Sequence, residues 1–82
     1  EGEHHALIQE LVANGNFSGG SVCNIDGVRV DFEDGFGLAR ASNTTPTVIL
    51  RFEADTASAL QRIQELYRAQ ILALRPTLTL PF

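Results

Sequence analysis

The sequence predicts an α+β domain in which a four-stranded antiparallel sheet carries two helices packed on one face. Apolar residues recur at helical spacing near both ends of the chain, and they alternate with polar residues over residues 21–54. Short turn signals separate the alternating runs, so neighbouring strands are antiparallel. Both helices must bury an apolar stripe, and one face of the sheet can cover both.

Residues 3–14 are predicted to form the first helix, because apolar residues recur on one helix face: Leu7, Ile8, Leu11 and Val12. Asn14-Gly15 is a typical helix end. His4 and His5 point about 100° apart on a helix, whereas a metal site would favour histidines one turn apart. We therefore interpret them as solvated side chains.

Four strands are predicted to follow, over Ser21–Ile25, Val28–Glu33, Phe36–Ala41 and Thr47–Ala54. The dipeptides Asp26-Gly27 and Asp34-Gly35 are typical of tight hairpin turns. Alternation puts Phe36, Leu38 and Arg40 on one side of the third strand. The same alternation divides the fourth strand into two sides. One side is apolar and consists of Val48, Leu50, Phe52 and Ala54, and the other consists of Ile49, Arg51 and Glu53.

The second helix is predicted to begin after Asp55 or Thr56, either of which can cap it, and to end near Leu74 before Arg75-Pro76. Its apolar stripe consists of Leu60, Ile63, Leu66, Tyr67, Ile71 and Leu74. The remaining residues, 76–82, are predicted to be a flexible tail. A chain of 82 residues supports one core, so residues 1–82 are predicted to be a single domain.

The composition excludes several classes of partner. A formal net charge of −4 argues against binding to nucleic acid or to an anionic membrane, since both require a basic surface. The sequence has no apolar run of membrane-spanning length. One cysteine, Cys23, allows no internal disulfide and suits a cytoplasmic location. Because the sequence starts at Glu1 and has no methionine, we expect it to be an excised domain of a longer enzyme.

A polar loop, Arg40-Ala41-Ser42-Asn43-Thr44-Thr45-Pro46, joins the third and fourth strands and contains no acidic residue. Arg40 can form a bidentate fork to two phosphate oxygens, and hydroxyl, amide and backbone N–H groups can donate to the others. These donors have no obvious acceptors within the loop, so we expect them to be solvated. The composition is compatible with a phosphate site formed by Arg40, Ser42, Asn43 and Thr44, but by itself it favours an ordinary polar turn.

Two further candidates lie near this loop. Thr45 and Arg51 are possible secondary contacts to the phosphate, although pairing with Glu33 or Glu53 across the strands is the preferred interpretation of Arg51. The acidic residues Asp31, Glu33 and Asp34 lack the ligand spacing of a calcium loop, so no metal site is predicted.

The loop resembles the phosphate-binding loop in the C-terminal domain of the α-D-phosphohexomutases, most closely in the bacterial phosphomannomutase/phosphoglucomutase branch. Asp26-Gly27-Val28-Arg29-Val30-Asp31-Phe32 and Leu50-Arg51-Phe52-Glu53-Ala54-Asp55 are similar to that family as well, and the resemblance extends over roughly residues 18–75. Many family members have glutamate where this chain has Thr45. The resemblance implies a TATA-binding-protein-like fold.

The resemblance also implies an activity. These enzymes interconvert hexose 1-phosphates and 6-phosphates through a phosphoserine enzyme and a bisphosphorylated sugar. The serine and the Mg²⁺ loop lie on earlier domains, so this domain is expected to have no catalytic residue or cofactor of its own. It is expected to grip the non-transferred phosphate of mannose or glucose phosphates and to close the cleft against the preceding domains, in a bacterium that makes exopolysaccharide. The alternative is a stand-alone protein-interaction module that uses its sheet or its apolar tail.

Overall fold

A computed structural model describes residues 3–17, 19–25, 27–42, 44, 45, 47–80 and 82. The elements are α1 (Glu3–Asn14), β1 (Ser21–Cys23), β2 (Val28–Phe32), β3 (Gly35–Ala41), β4 (Val48–Ala54) and α2 (Ala57–Leu74). The strands form one antiparallel sheet in the order β1-β2-β3-β4. Both helices pack on one face of it, which confirms the predicted fold class. None of the described helices is long and apolar enough to span a membrane.

The strand register divides the sheet into a helix-covered face and an open face. Val30 pairs with Gly37, which pairs with Phe52, and this row faces the helices. The adjacent row, which contains Arg29, Leu38 and Arg51, faces the other way. The open face therefore comprises Arg29, Asp31, Phe36, Leu38, Arg40, Ile49, Arg51 and Glu53.

Tyr67 of α2 lies at the centre of the core with no exposed surface. Its ring packs against Phe17 and Phe52 at centroid distances of 4.8 and 5.2 Å. Its hydroxyl lies 2.9 Å from the carbonyl oxygen of Val28 and 2.8 Å from that of Gly37, so one proton is shared between two acceptors. Burial raises the pKa of Tyr67, which keeps this hydroxyl protonated as a donor.

The helices agree closely with the sequence prediction. α1 has the predicted bounds and buries Leu7, Ile8 and Leu11, but Val12 is 41% exposed because it lies about 100° beyond Leu11 at the edge of the stripe. In α2 the residue that caps the helix is Thr56, whose side chain accepts a hydrogen bond from the N–H of Ala59 at 3.1 Å.

Four strand ends differ from the prediction, and the start of β3 is one of them. β1 ends at Cys23, two residues early, and Ile25 beyond it is 91% exposed. β2 ends at Phe32 and β4 begins at Val48, each one residue inside the predicted limit. Asp26 lies outside the described residues, but Gly27 has a φ of +101°, which is a conformation that favours glycine at a turn.

The turn between β2 and β3 also differs from the prediction. Phe32 pairs directly with Gly35, so the turn residues are Glu33 and Asp34 and the glycine begins β3. A Cβ atom on Gly35 would lie 2.4 Å from the carbonyl oxygen of Glu53. The glycine is therefore required by the close approach of β4 and not by the turn.

The C-terminal segment folds back onto the core. The ring of Phe82 packs edge-on against Phe52 at 5.0 Å, and the guanidinium of Arg68 lies 5.1 Å from the centre of the same ring. Leu80 is also partly buried against the core. The flexibility of residues 76–82 stays a prediction.

Candidate functional site

The polar loop lies at one end of the sheet, directly after the last residue pair of the β3–β4 ladder, Ala41 and Val48. The N–H of Ser42 donates to the carbonyl oxygen of Thr47 at 2.9 Å, and the N–H of Thr47 donates to that of Thr45 at 2.8 Å. These two bonds close the hairpin. The rigid ladder therefore fixes both ends of the loop.

Ser42 is the one buried polar residue among the described residues, with 7% of its surface exposed. Its Oγ accepts hydrogen bonds from the N–H groups of Thr44 and Thr45, each at 3.3 Å, and it also contacts both of their hydroxyls at 3.3 Å. The Oγ1 atoms of Thr45 and Thr47 lie 2.8 Å apart. The expectation that the loop donors lack internal acceptors is therefore wrong, because the Ser42 side chain accepts several of them.

Arg40 lies on β3, paired with Ile49, and is half-buried. It shares the open face with Phe36 and Leu38, as the alternation predicts. Gly27 in the β1–β2 turn lies directly against it, since a Cβ atom on this glycine would be 2.6 Å from the Cβ of Arg40. Sheet pairing on one side and the turn on the other therefore fix the backbone of Arg40.

The remaining candidate residues for phosphate binding lie at different places on the domain. Thr44 and Thr45 are exposed at the tip of the loop, and Asn43 lies outside the described residues. Arg51 is on the open face with 67% of its side chain exposed, and it donates to Glu53 Oε2 at 3.1 Å. The structure contains the predicted pairing of Arg51 with Glu53, but both residues lie on β4, so the pair does not cross between strands. The contacts of these residues with phosphate stay a prediction.

The loop has the chemistry of an oxyanion site. It combines one guanidinium with hydroxyl and backbone N–H donors, and its sequence contains no carboxylate that would repel an anion. It also contains no histidine or cysteine that could act as a base or nucleophile. Among the described residues, no group of three histidine, cysteine, aspartate or glutamate side chains could hold a metal ion. The loop is therefore suited to binding, without chemistry of its own.

Sequence reasoning missed two contacts within this site. The contact between Gly27 and Arg40 continues the β2–β3 register one residue beyond the pair of Val28 and Ala39. The role of Ser42 had a local signal, because serine hydroxyls commonly accept the backbone N–H groups two and three residues later.

The family model for the C-terminal domain of phosphoglucomutase/phosphomannomutase matches residues 2–70. The chain belongs to this family. The chain is 48% identical over 77 residues to a phosphomannomutase/phosphoglucomutase of Pseudomonas putida. The aligned residues cover 94% of this chain and 17% of that protein. It is 56% identical over 68 residues to a phosphoglucomutase of Neisseria gonorrhoeae. The aligned residues cover 82% of this chain and 15% of that protein.

The fold agrees with the same family. A crystal structure of a phosphoglucomutase/phosphomannomutase family protein from Burkholderia thailandensis superposes with a TM-score of 0.91 at 51% identity. The match covers 96% of this chain and 18% of that protein. The chain thus spans less than a fifth of the relatives it matches, and it corresponds to their C-terminal domain. The resemblance found in the sequence is confirmed.

Proposed function

We propose that the chain is the phosphate-holding domain of an enzyme that interconverts hexose 1-phosphates and 6-phosphates. The observation that carries the proposal is the loop between β3 and β4, which presents Arg40 and a set of neutral donors at the end of a rigid hairpin. The family match supplies the context, since the relatives are named phosphomannomutase/phosphoglucomutase.

The reaction that we propose explains why a loop of donors needs no acid or base. A phosphoserine of the enzyme gives its phosphate to the sugar, and the bisphosphorylated intermediate turns over before the other phosphate is taken back. In each orientation one phosphate does not react and must be held in place. Binding energy from this remote group positions the reacting end of the sugar. Arg40 supplies the bidentate contact, and Ser42, Asn43 and Thr44 complete the site.

The other parts of the reaction belong to the remainder of the full-length enzyme. We place the phosphoserine and the Mg²⁺ site on its other domains, against which this domain closes the cleft around mannose or glucose phosphates. The proposed setting is the bacterial cytoplasm, where such sugar phosphates lead to exopolysaccharide. The domain itself contributes a grip on phosphate and no catalytic residue.

Steady-state kinetics of the full-length enzyme test this proposal. Arg40→Ala should lower kcat/KM by roughly 30- to 150-fold, because a charge-assisted bidentate contact contributes about 2–3 kcal/mol. Arg40→Lys should not restore activity, since lysine keeps the charge but loses the planar fork. Arg29→Ala is the matched control, because Arg29 lies on the same face and pairs with Asp31.

Thermal melts separate binding from folding in this experiment. The Arg40 variants should melt within a few degrees of the wild-type enzyme, because the side chain lies on the open face. An Arg40→Ala enzyme that keeps near wild-type kcat/KM but melts much lower would make Arg40 a structural residue. The proposed role of the loop would then be wrong.

A further inference from the structure

Two apolar side chains are exposed at the end of the sheet that carries the polar loop, and both lie near Arg40. Ile25, in the β1–β2 turn, is 91% exposed, and Ile49, which pairs with Arg40 across the β3–β4 ladder, is 37% exposed. Turns favour polar residues and glycine, so an isoleucine that is almost fully in water is unusual there. We call Ile25 and Ile49 the apolar rim.

The apolar rim lies on both sides of Arg40. On one side is Ile49, because the Cβ atoms of paired residues in antiparallel strands lie about 5 Å apart. On the other side is Gly27, whose Cβ position would be 2.6 Å from the Cβ of Arg40. Ile25 lies beyond Gly27, since β1 borders β2 on the side away from β3. Two residues of extended chain place its Cα within about 7 Å of that of Gly27.

We propose that the apolar rim is the surface through which this domain docks on the part of the full-length enzyme that transfers phosphate. The inference rests on the proposed function, which places a hexose phosphate on Arg40 and the reacting groups elsewhere in the same polypeptide. This chain spans less than a fifth of the relatives that it matches. The partner surface is therefore another domain of the same polypeptide.

The size of the substrate requires this domain to come close. The polar loop is suited to binding without chemistry of its own, so the reacting end of the sugar must meet a group from another domain. A hexose phosphate is about as long as two strand spacings, roughly 10 Å. A domain that reaches the far end of a hexose held by Arg40 must approach Arg40 to this distance, and the apolar rim lies at a comparable distance. Apolar contact around the site also excludes water from the bond between guanidinium and phosphate.

Thiol labelling of the full-length enzyme measures this contact. Ile25→Cys is combined with Cys23→Ser, which removes the exposed native thiol of the domain, and alkylation at position 25 is followed by peptide mass spectrometry. Saturating glucose 6-phosphate should slow this alkylation about tenfold, because a thiol reacts only where the reagent can reach it. Val12→Cys in the same background is the matched control, since Val12 is 41% exposed on α1 and its labelling should not change. Unchanged labelling at position 25 would overturn the proposal.

A second substitution separates contact with another domain from coverage by the sugar phosphate itself. Ile49→Asn, added to the Ile25→Cys enzyme, alters the apolar rim and leaves the proposed phosphate ligands in place. An amide in an apolar contact opposes docking, because its polar atoms lose water without gaining partners. Labelling at position 25 in saturating glucose 6-phosphate should then return to within about twofold of the rate without ligand. Protection that persists in the double variant would assign it to the ligand and overturn the proposal.

Steady-state kinetics of the full-length enzyme keep this proposal distinct from the proposed function. Ile49→Asn should lower kcat/KM about tenfold, whereas Ile49→Val and Val12→Asn should each stay within about twofold of wild type. If Arg40→Ala lowers kcat/KM and Ile49→Asn does not, the proposed function stands and the docking surface is wrong. If Arg40→Ala leaves kcat/KM unchanged, the proposed function fails, and the labelling of the double variant still decides whether another domain covers the apolar rim.

Discussion

A Cβ atom on Gly27 would lie 2.6 Å from the Cβ of Arg40, closer than two such atoms can approach without displacement. The same atom would lie 2.3 Å from the carbonyl oxygen of Ala39. The β1–β2 turn therefore packs against the backbone that presents the single charged residue of the loop. The position of Arg40 depends on the glycine that directly precedes β2, one residue beyond the last pair of the β2–β3 ladder.

Gly27→Ala should therefore weaken phosphate binding, by about tenfold, through displacement of Arg40. Gly19→Ala is a matched control, because Gly19 also has a positive φ of +89° but a Cβ there would meet nothing within 4 Å. Both variants carry the strain of a non-glycine residue in that region, on the order of 1 kcal/mol. Phosphate titrations and thermal melts of both variants check this, and equal losses of affinity would contradict it.

The sequence was sufficient for features that depend on local periodicity. The alternation in β3 predicted that Arg40 shares a face with Phe36 and Leu38, and the register confirms it. The helical repeat predicted the bounds of α1, and the capping preference limited the start of α2 to two residues, one of which is the cap. These patterns work because side-chain direction follows from backbone geometry alone.

The wrong predictions concern positions where contacts between secondary-structure elements determine the structure. The sequence predicts Gly35 as a turn residue, but in the structure it is the first residue of β3. A glycine is needed there because β4 approaches too closely to leave room for a Cβ atom. Val12 satisfies the apolar repeat but lies at the edge of the buried stripe. In the candidate site, the resemblance of the loop to a known phosphate-binding loop indicated an anion, but the arrangement of donors around Ser42 requires the folded backbone.

Tyr67 and Gly37 form the central contact between α2 and the sheet, and two substitutions there should differ in effect. Tyr67→Phe removes a hydroxyl that is hydrogen-bonded to two backbone carbonyls and should lower stability by about 1 kcal/mol, or about 4–8 °C in melting temperature. Gly37→Ala should cost more, since its Cβ would lie 2.3 Å from the ring of Tyr67. Calorimetry that ranks Gly37→Ala as the milder change would refute this packing argument.

The ion pair between Asp34 and Arg62 should make stability depend on acid pH. The two guanidinium nitrogens lie 2.6 and 3.0 Å from the carboxylate oxygens, and these hydrogen bonds hold the pKa of Asp34 below its ordinary value of 3.8. The unfolded chain therefore takes up this proton first on acidification. The stabilisation is complete above about pH 4 and is lost as the pH falls through the lower folded pKa.

Melting temperatures from pH 7 to pH 2 check this dependence. Asp34→Asn should lower the melting temperature at pH 7 and should reduce the fall in melting temperature between pH 7 and pH 2. Glu33→Gln, which removes the neighbouring carboxylate of the same turn, is the control and should keep more of the acid dependence. An Asp34→Asn profile parallel to that of wild type would show that this pair makes no contribution.

The charge of the ligand should control its affinity for the loop. The donors of the loop are a guanidinium, hydroxyls and backbone N–H groups, and its sequence contains no group that titrates between pH 5 and pH 8. A sugar phosphate loses its second proton at a pKa of about 6. The dianion accepts stronger charge-assisted hydrogen bonds than the monoanion. The affinity of the chain for a hexose 6-phosphate should therefore fall about tenfold from pH 7.5 to pH 5.

Two controls assign this pH dependence to the ligand. Inorganic sulfate remains a dianion over this range, so its weaker binding should stay constant. His4 lines a groove beside the loop together with Thr47, and His4→Gln should leave the sugar phosphate profile unchanged. If sulfate binding followed the same profile as the sugar phosphate, or if His4→Gln abolished the dependence, the titrating group would belong to the protein. Constant sulfate affinity beside falling sugar phosphate affinity would indicate that the loop selects the dianion, as expected of a grip on a phosphate that does not react.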